Sequence, residues 1–217
     1  MFYPEKLSPK KMLGFYSEHF DSTESNYTFR TVPSESTLAN WAAQTPAGFR
    51  FSLKAPQEIT HFKKLRGCES VVQRFAEVSQ TLGPKLGAIL FQLPPTFRCD
   101  ISLLSEFLAM LPSKLKTAFE FRHESWLNDE VFSALQARGA ALCTADDEKR
   151  HTPFVFTARH AYFRLRDVGY AEKDIAQWAK VVREQMKLRE DIYIYFKHEE
   201  TGTGPKFAAH LQKLLAS

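Results

Sequence analysis

Lys54, Glu120 and Arg122 are charged residues set in otherwise apolar runs, Phe49-Arg-Phe-Ser-Leu-Lys54 and Ala118-Phe-Glu-Phe-Arg122. In both runs apolar and polar side chains alternate. Successive side chains of a strand point to opposite faces. Arg50, Ser52 and Lys54 therefore share one face, and Glu120 and Arg122 share another with Ala118. Ala161–Arg166 repeats the pattern, with Tyr162, Arg164 and Arg166 opposed to Phe163 and Leu165. So does Ile192–Lys197, with Tyr193, Tyr195 and Lys197 opposed to Ile192, Ile194 and Phe196. Glu24, Asn26, Gln92 and Asp146 fall at comparable positions near strand ends.

Gathered on one face, these residues make a chemical set. Lys54, Arg122, Arg164, Arg166 and Lys197 face the carboxylates of Glu24, Glu120 and Asp146. The surplus of cations favours an anionic ligand, phosphorylated or carboxylated, because the guanidinium fork binds such groups through paired hydrogen bonds. Glu24 or Glu120 is the candidate general acid or base. Lys54 is the third candidate catalytic group, since a lysine can form a Schiff base when its pKa is depressed. Nearby carboxylates raise a lysine pKa, so the expectation is a charged Lys54. The bland use of the same residues is a structural ion-pair network.

Other motifs point elsewhere. His61, His123 and His198, with the carboxylates, are of the types that hold zinc or manganese. They lack an HExxH-like spacing, and no metal ligands are assigned. They leave a metal-dependent hydrolase as a second reading. Thr201-Gly-Thr-Gly-Pro-Lys206 places Gly202 and Gly204 before a helix, where backbone N–H groups can hold a phosphate. Trp126 and Trp41 either stack on a ligand or cap the core. The net charge of +4 is too small to demand nucleic acid, though a non-catalytic nucleic-acid-binding protein stays open as a third reading. The residues name no cofactor and no oligomeric state.

Cys68, Cys99 and Cys143 are odd in number and form no CxxC. That argues against a disulfide framework or structural zinc and for a reducing, cytoplasmic setting. Cys143, flanked by apolar residues, reads as packing outward into the core. The opening residues Met1–Lys11 have no apolar core of a secretory signal. No apolar run is long enough to cross a bilayer, so no membrane partner is expected.

The elements that must position these groups alternate. Strands are expected at Phe20–Asn26, Phe49–Ala55, Gly87–Leu93, Thr117–His123, Ala140–Ala145, Ala161–Arg166 and Ile192–Lys197. Amphipathic helices are expected at Ser8–His19, Ser36–Gln44, Glu69–Leu82, Ile101–Leu111, Asp129–Arg138, Ala171–Leu188 and Pro205–Leu215. Strand–helix alternation predicts parallel strands joined by crossover helices. A doubly wound sheet is covered, and apolar, on both faces. A barrel covers only its outside and can carry polar groups within, near the mouth where function sits. The polar faces therefore predict a TIM-barrel-like (β/α) barrel in a single domain, 1–217.

Six segments in order strengthen this reading. Phe2-Tyr-Pro4, Thr23-Glu-Ser-Asn-Tyr-Thr-Phe29, Thr45-Pro-Ala-Gly-Phe-Arg-Phe-Ser-Leu-Lys54, Ile59-Thr-His61, Phe91-Gln-Leu-Pro-Pro95 and Phe119-Glu-Phe-Arg-His-Glu-Ser-Trp126 together resemble the YecE-like family, or domain of unknown function 72. The resemblance implies a TIM-barrel-type fold and supplies no established activity. Its barrel is likened to those of endonuclease IV and xylose isomerase, which is a likeness of fold and carries no function. The matching positions are Glu24, Asn26, Lys54, Thr60, His61, Gln92, Glu120, Arg122, His123 and Trp126. Two departures stand out. The family's first strand, with a Gly-x-Ser-Gly-Trp-like motif before Phe-Tyr-Pro, has no counterpart here. The run Phe196-Lys-His-Glu-Glu200 replaces an Asn-Asn-Asp run. The expectation is a barrel lacking its first strand, N-terminally truncated, with two open edges that invite pairing. A start codon placed too late, a shortened barrel or a covering partner would each account for it.

Overall fold

Period-two runs of β-branched and aromatic residues become strands in the computed structural model, which describes residues 2–147, 150–167, 169–197 and 202–216. The parallel strands are β1 (Ser22–Ser25), β2 (Arg50–Lys54), β3 (Leu86–Gln92), β4 (Lys116–Glu120), β5 (Ala141–Asp147), β7 (His160–Leu165) and β8 (Asp191–Phe196). They pair in the order β1-β2-β3-β4-β5-β7-β8. A two-residue strand, β6 (Arg150–His151), turns back antiparallel onto the end of β5. The expected helices form as α1 (Pro9–Ser17), α3 (Glu35–Ala43), α4 (Glu69–Ser79), α5 (Ile101–Met110), α6 (Asp129–Ala137), α7 (Glu172–Met186) and α8 (Gly204–Ala216), with a short α2 (Tyr27–Arg30) after β1.

Local chemistry starts several of these helices. Ser34, Asp100 and Asn128 accept hydrogen bonds from the backbone N–H of Thr37, Leu103 and Val131 at the first turns of α3, α5 and α6. Each such cap contributes about 1 kcal/mol. Pro9 occupies the first turn of α1, where its missing N–H costs nothing.

The alternation read from the sequence holds. Phe51, Leu53, Ile89, Phe91, Phe119 and Phe107 are buried in one cluster between the barrel wall and its helices. Within it Phe91 stacks on Phe119 with centroids 5.1 Å apart. Phe163 and Leu165 pack outward beside Trp178 and Ile194. The opposite faces meet in the lumen, where Ala88, Leu90, Ala118, Tyr162, Tyr193 and Tyr195 form a second cluster. Cys143 belongs to that inner cluster, which corrects the expectation that it packs outward. It pairs in register with Tyr162 and so shares Tyr162's inward face. Gly87 clears the lumen floor: a Cβ there would sit 3.0 Å from the Tyr193 ring and 3.1 Å from the Phe51 carbonyl.

The barrel is nearly closed. β1 and β8 lie side by side without pairing, and between them runs a cleft of about 710 Å³. Ser22, Glu24, Ile192, Ile194, Lys197 and Leu211 are among its lining residues. Side chains, not backbone, cross the seam. Tyr195 donates its hydroxyl hydrogen bond to Ser52 Oγ at 2.8 Å. No helix among the described residues is long and apolar enough to cross a membrane.

Candidate active site

Parallel strands bring their C-terminal ends to one mouth. Lys54, Gln92 and Glu120 are the last residues of β2, β3 and β4, and Glu24 and Arg164 are next to last in β1 and β7. The register aligns Gln92 with Glu120, and Glu24 with Ser52.

Arg164 spans the lumen. Its Nη2 donates to Glu24 Oε1 at 2.9 Å, and its Nη1 reaches Glu120 Oε2 in a short ion pair and Gln92 Oε1 at 3.4 Å. One guanidinium from β7 thus ties together β1, β3 and β4. Glu24 also accepts the Tyr162 hydroxyl at 2.8 Å and has Lys197 Nζ at 3.6 Å. Glu120 accepts Arg122 Nε at 2.9 Å, with Arg166 Nη1 at 3.8 Å.

The electrostatics follow from this geometry. Burial alone would raise both carboxyls, yet the surrounding cations outweigh it. Arg164 and Arg122 hold Glu120 down to about 2. Arg164 and Lys197 hold Glu24 below the ordinary carboxylate range. Both remain ionised, and their lone pairs are engaged. Asp146, at the end of β5, accepts the Tyr170 hydroxyl at 2.6 Å.

Lys54 behaves differently. It is only 9% exposed, and no carboxylate lies within ion-pair distance of its ammonium among the described residues. Its Nζ sits 3.8 Å above the centre of the Phe29 ring, in a cation–π contact. Phe29 is supplied by α2. The buried Thr28 hydroxyl fixes that helix by donating to the Lys54 carbonyl at 2.7 Å. Burial is the main influence on Lys54 and lowers its pKa, with help from Arg164 and Arg122. Glu120 and Glu24 oppose this but are already committed, and the result is about 8. The expectation that carboxylates would keep Lys54 strongly basic is thereby reversed.

His61 comes from a single π-turn, Glu58–Phe62, after β2. Its ring lies edge-on to Phe29 with centroids 4.9 Å apart, and its Nδ1 is 2.8 Å from the Thr60 hydroxyl. Burial, Lys54 and Arg122 lower its pKa, so the imidazole is neutral at pH 7.

The structure thus brings together Glu24, Lys54, His61, Gln92, Glu120, Arg122 and Arg164. Other expected site residues stand apart. Trp126 is fully buried. It stacks on Phe121 at 4.9 Å and donates its indole N–H to the Phe97 carbonyl at 2.7 Å. His123 accepts from the Ser125 N–H at 3.1 Å and so caps a short 3-10 turn. Asn26 is exposed beyond β1. Gly202 adopts a positive φ of 64°, and Gly204 opens α8 at the edge of the seam cleft. Among the described residues no group of three or more His, Cys, Asp or Glu side chains is placed to hold a metal ion. His198 and the run through Glu200 lie outside the described residues. Sequence reasoning missed Phe29, because it lies past the point where the alternation of β1 ends. Tyr162 could have been found, since it shares a face with Arg164.

A parallel barrel with an arginine-centred charge network at its mouth defines the class of protein. The chain belongs to the family described as protein of unknown function DUF72, whose profile matches residues 1–217. It is 35% identical to UPF0759 protein YecE of Escherichia coli K12 over 109 residues, a match spanning 50% of this chain and 40% of that protein. UPF0759 protein YunF of Bacillus subtilis 168 is 24% identical, with 98% of this chain and 89% of that protein covered. A crystal structure of a DUF72 family protein from Thermotoga maritima is similar with a TM-score of 0.88 and 25% identity, covering 99% of this chain and 93% of that one. Another, from Enterococcus faecalis, has a TM-score of 0.83 at 21% identity, covering 95% and 94%, and supports the fold.

Proposed function

We propose that this protein binds a small anionic molecule, phosphorylated or carboxylated, at the C-terminal mouth of the barrel. One observation carries the reading: Lys54 is a nearly buried cation with no carboxylate partner among the described residues, flanked by Arg122 and Arg164. Burying a charge is costly unless it is paired, and an incoming anion would supply the missing partner. Glu24 and Glu120 then serve to fix Arg164, since both are ionised and hydrogen-bonded. Gln92 and His61 add neutral polar contacts beside the cations.

Calorimetric titration with inorganic phosphate, sugar phosphates and short dicarboxylates tests this. A charge-assisted hydrogen bond is worth about 1.5–3 kcal/mol, so Lys54→Met is expected to weaken binding roughly 10- to 100-fold. Arg122→Ala is expected to weaken it in the same direction. Equal binding by wild type and both variants would remove the mouth as the binding site.

A further inference from the structure

We propose that Lys54 is a catalytic amine that forms an imine with the carbonyl group of an anionic substrate, such as a 2-oxo acid or a phosphorylated aldehyde or ketone. This rests on the anion-binding reading of the same mouth and adds a covalent step to it.

The geometry supports a nucleophile here. Lys54 ends β2 at the barrel mouth and, among the described residues, forms no salt bridge that would occupy its nitrogen. Phe29 covers one side of the ammonium at 3.8 Å. An aromatic face stabilises a cation without accepting a proton from it, so the nitrogen is held in place yet keeps its lone pair available after deprotonation. The charged groups around it are Arg164 on β7, Glu120 at the end of β4, Arg122 just past it, Glu24 on β1 and His61 after β2. The two carboxylates among them are bound to arginines. The amine is pushed down to about 8, so a substantial share is neutral near neutral pH.

The step balances without a further reactant. The neutral Nζ forms a bond to the carbonyl carbon, and the C=O π electrons move to oxygen. The proton leaving nitrogen goes to that oxygen and gives a carbinolamine. A second proton, taken from solvent and passed on by His61, converts its hydroxyl to water, which departs as the nitrogen lone pair closes the C=N bond. The product is a protonated imine, and one water is released. The substrate's carboxylate or phosphate would meet Arg122. His61, neutral and in contact with the same Phe29 ring, is the proposed proton carrier.

Reductive trapping reads this directly. The full chain is treated with pyruvate or glyoxylate and cyanoborohydride at pH 7.5, digested, and mapped by mass spectrometry. An amine near pKa 8 is neutral roughly 200 times more often than an ordinary lysine at that pH. Lys54 is therefore expected to carry the dominant adduct, with Lys10 and Lys173 as surface references. Lys54→Arg should abolish that adduct, and Arg122→Ala should reduce it. Adducts spread over surface lysines, or equal labelling of Lys54 in urea-unfolded chain, would overturn the proposal. Protection of Lys54 from acetic anhydride by inorganic phosphate separates the two readings. If phosphate protects but no imine is trapped, anion binding stands and the covalent step falls. If neither occurs, both fall.

Discussion

Arg164 is the residue on which the mouth depends, because it neutralises two buried carboxylates at once. Glu120→Gln keeps the shape of one partner and removes its charge. Breaking a buried pair from one side costs roughly 3–5 kcal/mol. The Gln carbonyl still accepts a hydrogen bond, so a loss of about 3 kcal/mol at pH 7 is expected, read from urea denaturation. The sign of its pH dependence is set by the depressed carboxyl. Glu120 titrates at about 2 when folded, against an ordinary 4.5. Its stabilisation is complete above the ordinary value and drains as pH falls toward the folded one. Glu24 shifts in the same direction and fades with it. The gap between wild type and Glu120→Gln should hold from neutral pH to about 5 and close below about 4. A gap that is constant down to about pH 3 would mean that the ion pairs are not its source. Much of this was legible at the level of single residues. Alternation gives the face on which Glu120, Arg164 and Lys54 lie. It gives neither reach nor partner, so it could not tell that the carboxylates would be spent on arginines and leave Lys54 alone. Trp126 and His123 lie beyond the strand, where faces are no longer defined by period two, and they turn into the core and a cap.

Elements show the same division. The parallel strands and the longer helices carry a period that a sequence displays. A helical turn of four or five residues is too short to show a 3.6-residue period, and two residues cannot show alternation; α2, the π-turn Glu58–Phe62 and β6 are of this kind. Yet α2 and the π-turn bring Phe29 and His61 to Lys54. A buried hydroxyl ties α2 to the strand: Thr28 is shared between the carbonyls of Lys54 at 2.7 Å and Ser25 at 3.2 Å. Thr28→Val keeps the volume and strands the Lys54 carbonyl. Leaving a buried acceptor unsatisfied costs about 1–3 kcal/mol, which chemical denaturation measures. The same variant should raise the rate of Lys54 acetylation, because the Phe29 ring over the amine loses its anchor. Unchanged stability and unchanged labelling would show that α2 is positioned by other contacts.

On the scale of the whole molecule the barrel is held across an open seam by side chains. Every second backbone amide of an edge strand points away from its one partner, and on β1 and β8 those amides face the cleft. The lumen makes up for the missing backbone ladder. Glu24 on β1 receives Arg164 and Tyr162 from β7 and is approached by Lys197 just past β8, so one carboxylate clasps both margins of the gap. Interior strands β3 and β4 pair on both sides. Local opening follows the density of such contacts. Amides of β1 and β8 are therefore expected to exchange hydrogen at least about tenfold faster than those of β3 in the native protein. Glu24→Gln removes the clasp's charge and should speed exchange further at β1 and β8 while leaving β3 and β4 nearly unchanged. Uniform acceleration across all strands would mean that Glu24 supports global stability alone. Selective acceleration at the margins would locate the weak line of the barrel in the seam beside the site, with the same ion pairs fixing both.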